Sequence, residues 1–331
     1  MKLVSFRLKS DSSPRIGVLV QNRIVDLAAA HTAARREVAF QLDFMVADMT
    51  DFLRLGEPAM ADAQIVSEWY LSSGQPQGVS HATDDLQLLA PVPRPSSMRD
   101  GYAFRQHVEA ARRNRGLEMI PEFDQIPIFY FTNHQAVYGP GDIPVRPLHL
   151  DKLDFELECA IVIGKEGRNI KAENADEYIA GYMVMNDWSA RALQMEEMKL
   201  NLGPAKGKDF ATSIGPWLVT KDELAPFRID TPVGEKYNLQ MNTVINGKQV
   251  STGNVKDMTW TFAQIIERAS YGVTMHPGDV IGSGTCGTGC FLELNGSKVY
   301  DPAWWLSTGD VVTCSIEGLG ELTNTIVLET E

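Results

Sequence analysis

Cysteine is scarce, with four thiols (Cys159, Cys286, Cys290 and Cys314) in 331 residues. So few in so long a chain exclude a disulfide scaffold. Cys286 and Cys290 stand in C-x3-C spacing, yet no second Cys/His pair lies nearby in sequence to complete a zinc site. They read as buried thiols near a turn. Long apolar runs are also missing, since none approaches the ~18 residues of a membrane span. The opening Met1-Lys2-Leu3-Val4-Ser5-Phe6-Arg7 alternates polar and apolar residues and lacks the apolar core of a signal peptide. Positive charge is in deficit, 30 Lys and Arg against 43 Asp and Glu, for a net charge of −13. Without a Lys/Arg-dense stripe to neutralise phosphates, a nucleic-acid partner is excluded. A small anionic substrate needs only a local positive pocket. The expectation is a cytoplasmic, reduced protein with neither nucleic acid nor membrane as partner.

What is present is an ordinary globular balance, 44% hydrophobic and 22% charged. Cores tend to divide above ~250 residues, so a large domain with a smaller one is expected. Residues 1–90 read as the small α+β module. Segments 2–8 and 16–27 alternate with period two, Gln21-Asn22 makes a hairpin turn, and helical stretches are predicted around 33–55 and 61–72. Pro91, Pro93 and Pro95 then forbid helix and favour an extended linker. Beyond it, residues 95–331 are strand-rich. Strands are predicted at 155–164, 179–186, 215–220, 237–246, 279–283, 291–294, 311–316 and 321–328, with helices over 101–115 and after Ser189. Strands without βαβ alternation indicate a mainly-β, α+β architecture.

The most informative stretch is Asp154-Phe155-Glu156-Leu157-Glu158-Cys159-Ala160-Ile161-Val162-Ile163. On a strand, Phe155, Leu157, Cys159, Ile161 and Ile163 share one face, and Asp154, Glu156 and Glu158 the other, ~6.6 Å apart in successive pairs. If that second face is water, the three acids are merely solvated; if it is buried, they repel and need a cation. Asp187 follows the apolar run Met183-Val184-Met185 and precedes a helix that Ser189 could cap. Asp100, just after the linker, has the look of a helix N-cap when taken alone. Together, Asp100, Glu156, Glu158 and Asp187 would form an all-oxygen set suited to Mg²⁺, Mn²⁺ or Ca²⁺. Four carboxylates on one divalent ion leave a negative site, and Lys208 and Arg191 could balance it.

These residues carry a resemblance to the fumarylacetoacetate hydrolase superfamily across 95–331. The matching elements are Asp-x-Tyr-x-x-Arg-Gln-His at 100–107, Glu156-Leu157-Glu158, and Met185-Asn186-Asp187-Trp188-Ser189-Ala190-Arg191 with Gln194. Gly207-Lys208-Asp209-Phe210-Ala211-Thr212, Gly278-Asp279 leading to Ser283-Gly284-Thr285, and Leu292-Glu293-Leu294 complete the ordered set. The resemblance implies a mixed β-roll, usually homodimeric, with Asp100, Glu156, Glu158 and Asp187 on a divalent cation, Mg²⁺ or Ca²⁺. It implies a His107–Glu293 dyad that activates water, with Arg191, Gln194 and Lys208 facing the substrate and Tyr102, Tyr130 and Thr285 around it. The substrate class so implied is a β-dicarbonyl acid, such as fumarylacetoacetate or an acylpyruvate, from aromatic catabolism.

Simple chemistry supports these roles. Cleaving a C–C bond in a β-diketone needs a nucleophile at one carbonyl and an electron sink for the departing enolate. A histidine held by a carboxylate can take a proton from water, and a cation aided by Lys208 can stabilise the enolate. Arg191 and Gln194, three apart on a helix, share a face. One fold of this kind hosts several reactions. A branch with decarboxylases and acylpyruvate hydrolases uses a His-x-x-Glu dyad, but here the run is His107-Val108-Glu109-Ala110, and Glu109 would point ~100° away. Glu293 fits the dyad of the hydrolases instead. Met198 stands where these hydrolases usually carry a tyrosine that helps with the distal carboxylate. The alternative is a decarboxylase, isomerase or hydratase of a 2-oxo acid on the same metal.

Overall fold

A computed structural model describes residues 1–330 of the chain. Among them, two large β-sheets meet over a common core. The larger, twelve-stranded sheet runs through its centre as Lys2–Leu8, Thr212–Val219, Ile179–Asp187, Leu157–Ile163, Val280–Gly282, Met98–Gly101 and Phe129–Phe131. The second, five-stranded sheet joins Lys248–Asn254, Gln240–Ile245, Val311–Ile316, Gly320–Leu328 and Gly141–Val145. This is the mainly-β arrangement expected from the strand count.

The first 90 residues are continuous with the rest through the sheet. Lys2 and Leu3 pair antiparallel with Val219 and Leu218. The Asp11–Val20 and Arg23–Asp26 hairpin, turning at Gln21 and Asn22, extends the same sheet outward. Helices Leu27–Ala34 and Glu57–Ser72 cover it, so Leu3, Val18, Leu27, Phe52 and Trp69 pack in one cluster with Ala160, Val162, Met183, Met185 and Val280. The other face of the central strands, with Leu157, Cys159, Ile161, Tyr182 and Val184, packs in the cluster shared with the second sheet. Burying each large apolar side chain contributes about 1.5–3 kcal/mol, and here both faces contribute. The acid-bearing face of 157–163 is therefore not open to water: Glu158 lies above a buried apolar row.

Several predicted elements differ from those observed. The segment 291–294 is not a strand but the start of the helix Phe291–Gly296. The predicted helix 101–115 is shorter, Arg105–Arg113, and Asp100 belongs to a strand rather than an N-cap. Of the helical stretch predicted around 33–55, only the end of Leu27–Ala34 and Met49–Arg54 are helix, with turns and bends between them. The strand expected over 155–164 starts at Leu157, after a break that separates it from the short Leu153–Asp154 strand. That break removes Asp154 from the face of Glu156 and Glu158.

Candidate active site

Four carboxylates converge at one end of the central sheet because strand register brings them there. Asp100 ends the Met98–Gly101 strand region, beside Gly282 in parallel pairing. Glu158 lies opposite Met185, and Asp187 closes its strand with its amide on the Glu156 carbonyl. Asn186 Oδ1 accepts the Glu156 amide at 2.9 Å and fixes the start of this turn. One carboxylate oxygen from each of Asp100, Glu156, Glu158 and Asp187 lies within 4.8 Å of the others, and all four side chains are buried. Close approach depends on glycine: a Cβ at Gly282 would sit 2.4 Å from Asp100 Oδ1 and 2.9 Å from Glu158 Oε2. Gly284, at φ +79°, turns its amide onto both acids, 3.0 Å from Asp100 Oδ1 and 3.1 Å from Glu158 Oε2. Few residues other than glycine take that conformation.

Counter-charge comes from two cations. Lys208 Nζ donates to Asp187 Oδ2 at 2.7 Å and to Glu156 Oε2. Arg191 donates to Glu156 Oε1 at 2.8 Å and through Nε to Asp154 Oδ2 at 2.8 Å. Burial and the neighbouring Asp187 charge push Asp100 up to about 7. Burial and Asp100 hold Glu158 well above the ordinary carboxylate range. Burial also acts on Glu156, but Lys208 and Arg191 outweigh it and keep that carboxyl low. Lys208 is likewise desolvated, yet Asp187 and Glu156 hold it firmly protonated.

A divalent cation fits this donor set. Glu158 Oε1 and Asp187 Oδ1 are buried without a hydrogen-bond partner, and an orphaned buried carboxylate oxygen is costly. With all four ionised, and with Arg191 also paired to Asp154, Lys208 and Arg191 leave a surplus of negative charge for a cation to balance. All-oxygen ligation selects hard ions such as Mg²⁺, Mn²⁺ or Ca²⁺. Asp100, Glu156, Glu158 and Asp187 would hold it.

The second half of the site is a dyad. His107, on the helix Arg105–Arg113, places Nδ1 2.6 Å from Glu293 Oε2, and both side chains are buried. Glu293 Oε1 accepts the Thr288 amide at 2.9 Å, which fixes the carboxylate plane. A ring nitrogen of His107 also lies within 4.8 Å of a Glu156 carboxylate oxygen, so dyad and acid cluster adjoin. Tyr102 stands edge-on to the His107 ring at 5.9 Å between centroids. Tyr130 donates to Asp187 Oδ2 at 2.5 Å, and Gln194 Oε1 accepts from Arg191 at 2.9 Å. Thr285 is buried one residue beyond the Gly284 amide. Contacts thus join every predicted site residue except Thr285, which is placed only by following Gly284 in sequence. Ser189 does not cap the helix Arg191–Glu197; its hydroxyl donates to the Asp187 carbonyl instead.

Asp154 is the group that sequence reasoning misplaced. Fully buried, it accepts the amides of Phe291 at 2.7 Å and Leu292 at 2.9 Å as well as the Arg191 guanidinium. One carboxylate therefore caps the helix that carries Glu293 and orients the arginine beside Glu156. Its place directly before the Glu156-Leu157-Glu158 triplet was the available signal.

The chain is similar to known proteins over nearly its whole length. Residues 96–327 match the family described as fumarylacetoacetate (FAA) hydrolase C-terminal. The chain is 32% identical to the mitochondrial oxaloacetate tautomerase fahd2 of Xenopus laevis, over 99% of this chain and 90% of that one. Among solved structures, a fumarylacetoacetate hydrolase from psychrophilic Exiguobacterium antarcticum superposes with a TM-score of 0.72 at 26% identity, over 99% of this chain and all of that one. The maleylpyruvate hydrolase of Sphingobium sp. SYK-6, solved with manganese(II) and pyruvate, shares the fold at a TM-score of 0.68 and 22% identity, with 100% of each chain covered.

Proposed function

This chain belongs to the fumarylacetoacetate hydrolase family, and on that premise we propose that it is a divalent-metal-dependent hydrolase cleaving a C–C bond of a β-diketo acid. The reading rests above all on the buried 2.6 Å contact between His107 Nδ1 and Glu293 Oε2 beside the acid cluster. In this reading Glu293 accepts Nδ1–H, which leaves Nε2 with a free lone pair. From there His107 takes a proton from water as the water oxygen bonds to one carbonyl carbon. The C–C bond then breaks, its electron pair leaves as an enolate, and the imidazolium returns the proton to that fragment. When bound, a divalent cation supplies positive charge at the enolate oxygens.

Lys208 and Arg191 add fixed positive charge where the enolate develops, in a site that excludes most water. The paired Arg191 and Gln194 present donors to a substrate carboxylate, and Tyr102, Tyr130 and Thr285 shape the surrounding wall. Mg²⁺ is the resident ion we expect, and the manganese of the Sphingobium enzyme is in keeping with a hard cation. A homodimer in the cytoplasm, serving aromatic catabolism, completes the reading. Among the described residues no helix is long and apolar enough to cross a membrane.

The similarity to oxaloacetate tautomerase supports a second reading, in which the same base only moves a proton between carbon and oxygen of a 2-oxo acid. The two part at the products. Metal-stripped protein is mixed with fumarylacetoacetate or an acylpyruvate, Mg²⁺ is restored, and loss of enol absorbance is followed while products are separated. Two acids formed only with metal support hydrolysis. Tautomer exchange of oxaloacetate with no acid release from either diketo acid moves the protein to the second reading.

A further inference from the structure

The acid cluster is not the only set of ligating atoms that the fold assembles. A ring nitrogen of His107, a carboxylate oxygen of Glu156 and Cys290 Sγ lie within 4.8 Å of one another, and all three residues are buried. They arrive from the helix Arg105–Arg113, the turn before the strand Leu157–Ile163, and the N-cap of the helix Phe291–Gly296. This donor set is chemically unlike the first. Four carboxylates suit hard ions, whereas imidazole, thiolate and one carboxylate suit Zn²⁺ and its soft analogue Cd²⁺.

We propose that His107, Glu156 and Cys290 form a second, thiophilic cation site, adjoining the acid cluster and sharing Glu156 with it, whose occupation by Zn²⁺ stops turnover. Glu293 already holds Nδ1 of the His107 ring, the carboxylate partner that metal-bound imidazoles usually have on their second nitrogen, so the ion would take Nε2. Zn–N and Zn–S bonds of about 2.0–2.3 Å in tetrahedral array set ligand atoms roughly 3.3–3.8 Å apart. From separations of at most 4.8 Å, the triad needs to close by up to about 1–1.5 Å. Water or a substrate oxygen takes the fourth position.

The donor before zinc binds is the buried, free Cys290 thiol. When Zn²⁺ binds, the S–H bond breaks, the S–Zn bond forms and one proton leaves to solvent, with no change of oxidation state. The ion then occupies the lone pair with which His107 would take a proton from water. This inhibitory clause rests on the proposed role of His107 as base; binding itself does not.

The test uses the full-length, Mg²⁺-loaded protein. Cd²⁺ is titrated while the ultraviolet thiolate-to-cadmium band is recorded, and turnover is measured against Zn²⁺. One band-forming Cd²⁺ per chain is expected in wild type and in Cys286→Ser, and none in Cys290→Ser or Cys290→Ala, with circular dichroism confirming the fold of each. Zn²⁺ should inhibit the wild type reversibly, and Cys290→Ser should need at least about tenfold more, each rate being referred to the same variant without zinc. A band that survives in both Cys290 variants, or unaltered zinc sensitivity, overturns the second site. A Cys290-dependent band without any loss of turnover upholds the site, overturns the inhibitory clause and counts against His107 as base.

Discussion

Asp100, Glu158 and Asp187 stand on strands of one sheet, whereas His107 and Glu293 stand on two short helices 186 positions apart in sequence. The strand-borne acids are set by backbone ladders, Gly282 with Asp100 and Glu158 with Met185, and by the Gly284 amide that joins two of them. The dyad has no such ladder. Its alignment depends on a few tertiary contacts: the Thr288 amide on Glu293, and Asp154 on the first amides of the helix Phe291–Gly296. Cation binding and proton transfer are thus mounted on different supports. It should be possible to loosen the second without disturbing the first.

The largest effect should come from the sheet end. Glu158→Gln removes a charge that the cation needs, so metal affinity and turnover should fall together, turnover by more than about 10³-fold. Calorimetry with Mg²⁺ and steady-state rates on one sample check this. Next, His107→Ala should lower kcat by about 10²–10⁴-fold while Mg²⁺ affinity stays near wild type. A parallel loss of metal binding would show that the two ends are not separable.

Asp154→Asn probes the bridge between them. It weakens the Arg191 pair and the helix cap together, so a denaturation curve should show about 1–3 kcal/mol of destabilisation. kcat should drop about tenfold with Mg²⁺ affinity little changed, since Asp154 acts through Arg191 and Glu293. The smallest effect concerns pH. Asp100, pushed up to about 7, is part-protonated in the metal-free site near neutrality, and burial beside Asp100 raises Glu158 in the same direction. Protons and metal compete there, so Mg²⁺ affinity should rise with pH across about 6–8, by about tenfold in all for a single group titrating at about 7. Calorimetry in buffers of different ionisation heat counts the protons, and an affinity flat across that range would contradict the assignment.

The same contrast explains what could be read from sequence. The alternation of Leu157, Cys159, Ile161 and Ile163 against Glu158 survives because a strand keeps its period through the whole element. Leu292-Glu293-Leu294 also alternates, yet it folds as helix, because a short apolar run does not fix its own period. What decides there is Asp154, a carboxylate from a distant strand that accepts the first helical amides. Asp154 itself was assigned to the wrong face because the chain breaks step at Phe155 and Glu156. Cys290 had no visible partner for a similar reason: His107 and Glu156 reach it only through the fold. The family motifs named the site residues; the supports that align them lie outside those motifs.

The most direct test of hydrolysis is the fate of the solvent oxygen. A single turnover of an acylpyruvate by the Mg²⁺-loaded protein in heavy-oxygen water, with products resolved by mass spectrometry, reads it. The account predicts one heavy oxygen in the carboxylic acid released from the acyl half, at a rate that collapses in His107→Ala. Turnover that shifts the keto–enol balance and releases no labelled acid would contradict it.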